Sequence, residues 1–341
     1  MNELRIGTRG SQLALWQANT VAAQLAAAGA PPCRIVIIRT TGDQLQERPL
    51  SEVGGKRLFV KEIEDALLRN EIDLAVHSSK DMPAVLPEGL SIAGVLPRED
   101  PHDAVVLPVR LKPDTTNRVD ATNRGGDASN RGGDAANRGS VRLQADLALL
   151  GNTPRIGTGS VRRVAQLLNV FPKARFENVR GNVDTRLRKL EEGQYDALVL
   201  AAAGLRRLGF GERISFTLPA DVCVPAPGQG IVAIETRVDD TRTRDFIARI
   251  DDADAAAALC AERTLVEALG GGCQTPIGGL ASLVDASTVE LVGAVASLDG
   301  RRVVRATARA NRTDAYDLGL RVGRELMAKG AGEILAEVRG E

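Results

Sequence analysis

The chain has 341 residues, 43% of them hydrophobic, and its 44 basic and 44 acidic side chains give a formal net charge of zero. At roughly 100–200 residues per domain, this length predicts two or three domains. The neutral charge and the 3% of aromatic residues argue against nucleic-acid binding through a basic, base-stacking surface and against adhesion to an anionic membrane. No stretch approaches the roughly 20 apolar residues of a membrane span, and the N-terminus lacks a signal-peptide core. We therefore expect a cytoplasmic protein.

Strand and helix patterns alternate over the first hundred residues. Residues 4–8 predict a short strand, and Ser11 can cap a helix that continues to Leu25. The further predicted elements are strands at 34–39 and 73–77 and a helix at 59–69. Strands separated by helices indicate parallel βαβ units.

The same pattern recurs later in the chain. The sequence R-I-G-T at 5–8 returns at 155–158, and each copy leads through Gly and Ser into a helical pattern. Likewise D-L-A-V at 73–76 is echoed by D-A-L-V at 196–199. Two lobes of similar design explain both repeats.

A low-complexity segment separates the two lobes. Residues 120–140 read D-A-T-N-R-G-G, D-A-S-N-R-G-G, D-A-A-N-R-G-S, three copies of a seven-residue unit with no large apolar side chain. Such a segment has nothing to bury that would offset its ordering entropy. We predict a disordered insert at about 111–145.

A third, smaller α/β domain is predicted at the C-terminus. The turn P-A-P-G-Q-G at 225–230 leads into a strand at 231–235, and an alanine-rich helix at 253–269 ends at three glycines. Residues 289–296 and 302–310 alternate like the strands of a hairpin around Asp-Gly. Helical patterns at 315–328 and 332–338 follow.

Several cations and hydroxyls stand where strands lead into helices. Free N–H groups at a helix start, next to a Ser hydroxyl and arginines, form an anion site. The candidate segments are Arg9-Gly10-Ser11, Thr158-Gly159-Ser160-Val161-Arg162-Arg163, Val179-Arg180-Gly181-Asn182 with Arg186, and Gly54-Gly55-Lys56. Plain helix capping with solvated arginines is the alternative for each alone, and the matching places of the first two favour anion binding.

The segment H-S-S-K-D-M-P, residues 77–83, stands at the C-terminal end of a predicted strand, where ligands bind in open α/β sheets. Asp81 is either half of a surface ion pair with Lys80 or an ionised carboxylate in a cationic cleft that can stabilise a developing cation and move protons. The residues alone do not choose between these two. We expect His77 to be a hydrogen-bonded core residue.

The cysteines and histidines do not form a metal site. The four cysteines are Cys33, Cys223, Cys260 and Cys273, and the two histidines are His77 and His102. No C-x-x-C pair occurs, so we expect neither a metal centre nor a disulfide framework. Cys273 differs from the other cysteines because it follows three glycines, which hold its thiol on an irregular loop where it can act as a nucleophile.

Eight motifs, in order, resemble the hydroxymethylbilane synthase (porphobilinogen deaminase) family. They are R-I-G-T-R-G-S-Q-L-A-L-W-Q-A, G-G-K-R-L-F-V-K-E, H-S-S-K-D-M-P, P-R-E-D-P-H-D, I-G-T-G-S-V-R-R, V-R-G-N-V-D-T-R-L, P-G-Q-G and G-G-C-Q-T-P-I-G. The resemblance runs from about residue 4 to residue 280 and omits the stretch at 111–150.

The resemblance implies an α/β protein of three domains: two periplasmic-binding-protein-like lobes joined by hinges, and a small C-terminal α/β domain. We predict domain 1 at 1–99 and 229–247, domain 2 at 100–228 with the insert, and domain 3 at 250–341.

The resemblance also implies an enzyme, a monomer, that uses porphobilinogen. Four porphobilinogen molecules are condensed stepwise onto a covalently bound dipyrromethane cofactor with loss of ammonia, and hydrolysis releases hydroxymethylbilane. No metal is implied. Cys273 matches the cysteine that holds the cofactor through a thioether, and Asp81 matches the catalytic aspartate. The predicted cofactor-binding residues are Lys80, Thr158, Ser160, Arg162, Arg163 and Arg186. The predicted substrate-binding residues are Arg9, Ser11, Lys56, Arg180 and Arg207.

Two alternatives come from other classes of protein. A non-catalytic carboxylate-binding protein explains the repeated lobes and the paired anion sites, but it explains neither Cys273 on its glycine loop nor the third domain. A thiol enzyme that uses Cys273 and His77 requires those two residues to meet in space.

Overall fold

The computed structural model describes residues 3–44, 60–109, 150–272 and 275–340. The strands are β1 (Leu4–Thr8), β2 (Cys33–Ile37), β3 (Leu74–Ser78), β4 (Leu90–Val95), β5 (Asp103–Val106), β6 (Arg155–Gly157), β7 (Arg175–Glu177), β8 (Ala197–Ala201), β9 (Phe216–Leu218), β10 (Val232–Arg237), β11 (Ile277–Leu283), β12 (Thr288–Ala296) and β13 (Val303–Asn311). The helices are α1 (Gln12–Ala27), α2 (Thr41–Gln44), α3 (Lys61–Leu68), α4 (Val161–Val170), α5 (Val183–Glu191), α6 (Ala202–Arg207), α7 (Thr241–Ile247), α8 (Ala253–Ala268), α9 (Ala315–Ala328) and α10 (Ala331–Arg339). Short 3₁₀ helices lie at Ser79–Asp81, Gly211–Arg213 and Arg312–Asp314.

Ten of the thirteen described strands form two five-stranded sheets with the same topology. The first sheet has the order β2-β1-β3-β10-β4 and the second has the order β7-β6-β8-β5-β9. In each sheet three parallel strands are followed by an antiparallel strand, β10 or β5, and then by an edge strand paired antiparallel to it. We call the first sheet with its helices the first lobe and the second sheet with its helices the second lobe. The predicted pair of similar lobes is confirmed.

The antiparallel strand of each sheet arrives from the other lobe. The chain leaves the first sheet after β4 and enters the second through β5, and it returns from β9 to the first sheet through β10. We call residues 96–102 the forward crossing and residues 219–231 the return crossing. The two crossings are hydrogen-bonded to each other, because the Glu99 N–H donates to the Gly230 carbonyl at 3.0 Å.

The C-terminal domain is a three-stranded antiparallel sheet, β11-β12-β13, packed on helices α8, α9 and α10. Apolar side chains such as Leu265 on α8, Val322 on α9 and Leu291 on β12 fill the core between them. The predicted hairpin and both terminal helices are present. The fold class predicted from the sequence, two α/β lobes with a small α/β domain, is confirmed.

Some predictions fall on residues that the structure leaves out. The predicted insert at about 111–145 lies outside the described ranges, and so do Lys56 and Cys273. The exact limits of the three domains stay predictions. None of the helices in the described ranges has both the length and the apolar character that crossing a bilayer requires.

Candidate active site

A cavity of about 570 Å³ opens where the two lobes and the C-terminal domain meet. The first lobe contributes the turn Ser79–Asp81, and the second lobe contributes residues 158–164 at the start of α4. Gly272 and Thr275 line the cavity from the C-terminal domain, and Gln229 lines it from the return crossing. The lining therefore comes from parts of the chain nearly two hundred residues apart in sequence.

The turn that carries Lys80 and Asp81 follows directly from the buried strand β3. The Met82 N–H donates to the Ser79 carbonyl at 3.1 Å, which closes the 3₁₀ turn and leaves Asp81 half-buried at the cavity. Beneath it, His77 Nε2 lies 3.1 Å from Glu235 Oε2 on β10, with both side chains buried. His77 is the hydrogen-bonded core residue that the sequence predicts.

The return crossing passes so close to this turn that it needs a glycine. Gly228 has a φ of +75°, and a Cβ there would lie 2.6 Å from Ser79 Oγ and 3.1 Å from the Lys80 backbone nitrogen. A side chain at this position would push on the turn that holds Asp81.

The second lobe presents its β6–α4 turn to the cavity. Ser160 caps α4, because its Oγ accepts from the Arg163 N–H at 3.4 Å. Thr158 Oγ1 in turn accepts from the Ser160 N–H at 3.4 Å. Both residues line the cavity, so the predicted pair of hydroxyls lies at a helix N-terminus that faces the Asp81 turn.

Arg162 and Arg163 also line the cavity, but their guanidinium groups are largely occupied by the protein itself. Arg162 Nη1 donates to Asp103 Oδ2 at 2.7 Å and to the Val224 carbonyl at 2.6 Å. Arg163 Nε donates to Asp103 Oδ1 at 2.9 Å. Although burial would raise it, the two arginines hold the pKa of Asp103 well below its ordinary value.

The side-chain amide of Gln229 connects cations of the two lobes. Its Oε1 lies 3.5 Å from Lys80 Nζ and 3.4 Å from Arg163 Nη2. Its Nε2 donates to Asp103 Oδ1 at 2.9 Å. The amide thus points its oxygen at the cations and its nitrogen at the carboxylate.

Three cations at or near the cavity, Lys80, Arg180 and Arg186, have pKa values depressed by burial. Burial lowers the pKa of Lys80 to about 8, and the positive charges of Arg163 and Arg162 add to the effect. Burial likewise lowers the pKa of Arg186 to about 10, with further contributions from Arg163 and Arg180. Burial also lowers the pKa of Arg180. The cluster contains more positive charge than its carboxylates neutralise.

Arg180 and Arg186 are held by the loop between β7 and α5. Gly181 at a φ of +107° turns the chain there, and its carbonyl accepts from Arg186 Nε at 2.8 Å. Arg180 lines the cavity. Arg186 is not among the lining residues, although it is close enough to Arg163 and Asp81 to interact with their charges.

Arg9 and Ser11 lie on the other side of Asp81. They line a smaller cavity of about 60 Å³ together with Asp81, His77 and Ser78. The Arg9 guanidinium forms an ion pair with Asp43, and Ser11 Oγ accepts from the Ala14 N–H at 3.3 Å as the cap of α1. Asp81 is therefore reached from both cavities.

Arg207 lies apart from the residues that line these two cavities in the described part of the chain. Its guanidinium carbon is 5.4 Å from the centre of the Trp16 ring on α1, and its Nη2 donates to the Gly230 carbonyl at 2.7 Å. It connects α6 of the second lobe to α1 of the first and to the return crossing.

The sequence analysis singled out neither Gln229, which lines the cavity, nor Asp103, which pairs with the lining arginines. Both belong to motifs quoted above, but neither had a role assigned. A usable signal was the pair of adjacent arginines at 162 and 163, because two buried guanidinium groups require a buried counter-charge. Asp103, placed at the start of the apolar strand β5, is the acidic residue that supplies it.

The cavity has the properties of a site for a polyanionic ligand. Three of its polar atoms, Ser79 Oγ, Arg162 Nε and Arg180 Nε, are buried without a hydrogen-bond partner in the described ranges. Buried donors without acceptors cost stability, and a ligand with several carboxylates would supply those acceptors. Gly272 and Thr275, on either side of Cys273, line the same cavity. The residues present therefore fit a cofactor with several carboxylates.

The described residues contain no cluster of three or more His, Cys, Asp or Glu side chains arranged to hold a metal ion. Among the cysteines that are described, Cys223 is buried, and burial raises the pKa of its thiol to about 12. Cys260 lies on α8, and burial of its thiol raises its pKa as well. Neither thiol is activated as a nucleophile.

Fold and cavity together define a two-lobed α/β protein with a cationic cleft that encloses one half-buried carboxylate. The family model "Porphobilinogen deaminase, dipyromethane cofactor binding domain" matches residues 4–245, and "Porphobilinogen deaminase, C-terminal domain" matches residues 256–328. The chain belongs to the porphobilinogen deaminase family.

Individual relatives are similar in sequence over nearly the whole length of this chain. The porphobilinogen deaminase of Syntrophobacter fumaroxidans is 46% identical over 98% of this chain and 97% of its own. That of Acidithiobacillus ferrooxidans is 44% identical over 99% of both chains. Among solved structures, immunogenic lipoprotein A from Vibrio vulnificus aligns with a TM-score of 0.39 at 12% identity, covering 76% of this chain and 99% of that one.

Proposed function

We propose that the cleft carries out the porphobilinogen deaminase reaction with Asp81 as its catalytic residue and Cys273 as the attachment point of the dipyrromethane cofactor. In this reaction four porphobilinogen molecules are condensed stepwise, each with the loss of one ammonia, and hydrolysis releases hydroxymethylbilane. When bound, the dipyrromethane supplies the primer to which the porphobilinogen units are added. The observation that carries the proposal is the placement of Asp81, a half-buried carboxylate surrounded by cations from both lobes.

Asp81 acts on the pyrrole ring of porphobilinogen. As the C–N bond to the amino group breaks and ammonia leaves, positive charge develops on the ring and its nitrogen. The carboxylate of Asp81 accepts a hydrogen bond from the pyrrole N–H and stabilises that charge. A carboxylate at this position can also take up and return a proton at its free oxygen.

The cations bind the acetate and propionate groups of the substrate and cofactor. Arg180 has a buried Nε with no acceptor in the described part of the chain, and Thr158 and Ser160 add hydroxyl donors. Lys80 and Arg186 gain a counter-charge when a carboxylate enters, which restores their depressed pKa values and contributes binding free energy. Arg9 and Ser11 would bind substrate carboxylates on the far side of Asp81.

The remaining parts of the proposal concern Lys56, Arg207 and the setting of the enzyme. Lys56 would bind substrate. Arg207 would exchange its contact with the Trp16 ring for a substrate carboxylate when the lobes move. We infer that the protein acts as a monomer in the cytoplasm, with porphobilinogen as its substrate and no nucleic acid or membrane partner.

Substitution of Asp81 by Asn tests the catalytic assignment. Asp81→Asn retains the size of the side chain but removes the charge that stabilises the developing cation, so we expect ammonia release from porphobilinogen to fall by about 10²-fold or more. The measurement is the initial rate of ammonia release, with unchanged thermal unfolding as the check on folding. Asp317→Asn, at an exposed position of α9, is the matched control and should retain full activity.

Two results would contradict the proposal. Normal turnover by Asp81→Asn would remove Asp81 from the mechanism. A wild-type protein that binds porphobilinogen without releasing ammonia would support the two-lobed binding protein instead.

A further inference from the structure

Asp103 is the centre of a buried ion cluster at the point where the forward crossing enters the second sheet. Its exposed fraction is 0%, and those of Arg162 and Arg163 are 4% and 6%. The Arg162 Nη1 donor is 2.7 Å from Oδ2, and the Arg163 Nε donor is 2.9 Å from Oδ1. Both arginines belong to the first turn of α4, which faces the cavity.

Every acceptor position of this carboxylate is used by the protein. Oδ1 also accepts from Gln229 Nε2 at 2.9 Å, and Oδ2 also accepts from Cys223 Sγ at 3.4 Å. A carboxylate saturated in this way has no lone pair left for a substrate N–H. Asp103 is therefore not a second catalytic carboxylate beside Asp81.

The cluster connects the forward crossing with the return crossing, which together form the hinge between the two lobes. Asp103 follows the forward crossing, whereas Gln229 belongs to the return crossing and donates to the Pro101 carbonyl at 2.7 Å. The Gln229 oxygen faces Lys80 of the first lobe and Arg163 of the second. One carboxylate and one amide thus connect cations of opposite lobes.

We propose that Asp103, held in place by Gln229, is a positioning residue that fixes Arg162 and Arg163 at the cavity so that their remaining N–H groups meet ligand carboxylates. The Nε of Arg162, which is buried and has no hydrogen-bond partner among the residues that the structure describes, is the clearest such group. In metal sites, removal of a residue that orients a metal ligand typically lowers affinity by about 10–100-fold. We expect a similar effect when a residue that orients a guanidinium is removed. This inference rests on the proposed function of the cleft.

A purely charge-neutralising role for Asp103 predicts the opposite change in ligand affinity when the carboxylate is removed. If the carboxylate only neutralises the arginines, its removal leaves more positive charge at the cavity, and an anionic ligand binds more tightly. If it positions them, its removal lets the guanidinium groups reorient, and the ligand binds less tightly despite the added charge.

The test compares three variants by KM and kcat for porphobilinogen and by the fraction of chains that carry the covalent cofactor, measured by intact mass. Asp103→Asn removes the charge with little change in shape. Gln229→Met removes the amide contacts and leaves every charge in place. Asp317→Asn makes the same Asp-to-Asn change at an exposed position of α9, outside the cluster, and is the matched control.

We expect KM to rise 10-fold or more in Asp103→Asn and 3-fold or more in Gln229→Met, with kcat of the cofactor-loaded fraction within 3-fold of wild type. Asp317→Asn should stay within 2-fold of wild type in both constants. An unchanged or lower KM in Asp103→Asn overturns the inference. If that variant does not fold, an unchanged KM in Gln229→Met overturns it instead.

The result separates this inference from the function on which it rests. A wild-type protein without turnover and without covalent cofactor removes the proposed function. An active wild type with normal Asp103→Asn and Gln229→Met variants removes only the positioning role.

Discussion

At the scale of single residues, Lys80 gives the clearest electrostatic indication of an anionic ligand. Burial and two neighbouring arginines lower its pKa to about 8, although Asp81 and Asp103 oppose them. Without a ligand the protein therefore holds a lysine charge in an unfavourable place. A carboxylate bound nearby would stabilise the positive charge of Lys80 and raise its pKa again.

This unfavourable charge predicts a pH-dependent stability of the cofactor-free protein. The unfolded lysine has a pKa of about 10.5 and the folded one about 8, so the unfolded chain binds more protons between these values. The free energy of unfolding should therefore rise as the pH increases from about 8 to about 10.5. Below pH 8 the full cost of the buried charge remains.

Substitution of Lys80 by Met in a Cys273→Ser background tests the predicted direction of this pH dependence. At pH 7 the substitution should stabilise the protein by about 1–2 kcal/mol, since Lys80 is only half-buried and water screens part of the cost. The gain should shrink toward pH 10. Lys173→Met, at an exposed position, is the control and should change neither the stability nor its pH dependence. Chemical denaturation at several pH values measures the free energy of unfolding and its pH dependence. If Lys80→Met and Lys173→Met showed the same dependence of this free energy on pH, the charge of Lys80 would not be unfavourable in the folded protein.

The structure brings together several of the residues that the sequence singled out in motifs at strand or helix ends. Asp81, Lys80, Thr158, Ser160 and Arg180 all line the main cavity. Asp103 and Gln229 were not singled out, because their contacts join residues that are 59 to 149 positions apart in sequence. Arg207 was singled out as a cation for substrate binding, but the sequence could not show that its guanidinium packs on the Trp16 ring.

At the scale of elements, the turn Ser79–Asp81 depends on a glycine that is distant in sequence. Gly228 adopts a φ of +75° and passes within contact distance of Ser79 and Lys80. Its lack of a side chain serves both the backbone conformation and the space that the turn needs.

A pair of glycine substitutions separates these two requirements. Gly193→Ala should cost about 1 kcal/mol of stability, because Gly193 has the same φ of +75° with nothing within 4 Å of its missing Cβ. Gly228→Ala adds a collision with the Asp81 turn, so we expect a cost of about 2 kcal/mol or more and at least a 10-fold loss of activity. Thermal unfolding and ammonia release measure the two effects. Equal losses in both variants would mean that the close approach does not matter.

The elements predicted from periodicity agree with the structure within one or two residues where they are long. The helix predicted at 253–269 is Ala253–Ala268, and the one at 315–328 is Ala315–Ala328. Strands of three or four residues, such as Arg175–Glu177 and Phe216–Leu218, were not predicted. Three residues are too few to display an alternating pattern, and these strands exist because neighbouring strands pair with them.

At the scale of the whole molecule, the two crossings decide how the lobes can act together. Each sheet contains one strand delivered by a crossing from the other, so the lobes share their hinge and cannot separate as independent domains. The sequence repeats predicted the two lobes. Their exchange of strands followed only from the family resemblance, because no local pattern indicates which sheet a strand joins.

The C-terminal domain contacts both lobes and the hinge. Arg98 of the forward crossing forms an ion pair with Glu262 on α8 at 2.6 Å, and Arg263 donates to the Ala84 carbonyl of the first lobe at 2.7 Å. Arg305 donates to the Ala220 carbonyl of the return crossing at 3.0 Å. The domain that carries Cys273 is therefore placed against the segments that any change in lobe angle must move.

The intact mass of the purified protein tests the central claim most directly. Wild type should exceed its sequence mass by two porphobilinogen molecules less two ammonias, and Cys273→Ser should match its sequence mass. Cys260→Ser, the control, should carry the same added mass as wild type. A wild-type mass that stays unmodified after incubation with porphobilinogen would contradict the covalent cofactor and, with it, the enzyme reaction assigned to the cleft.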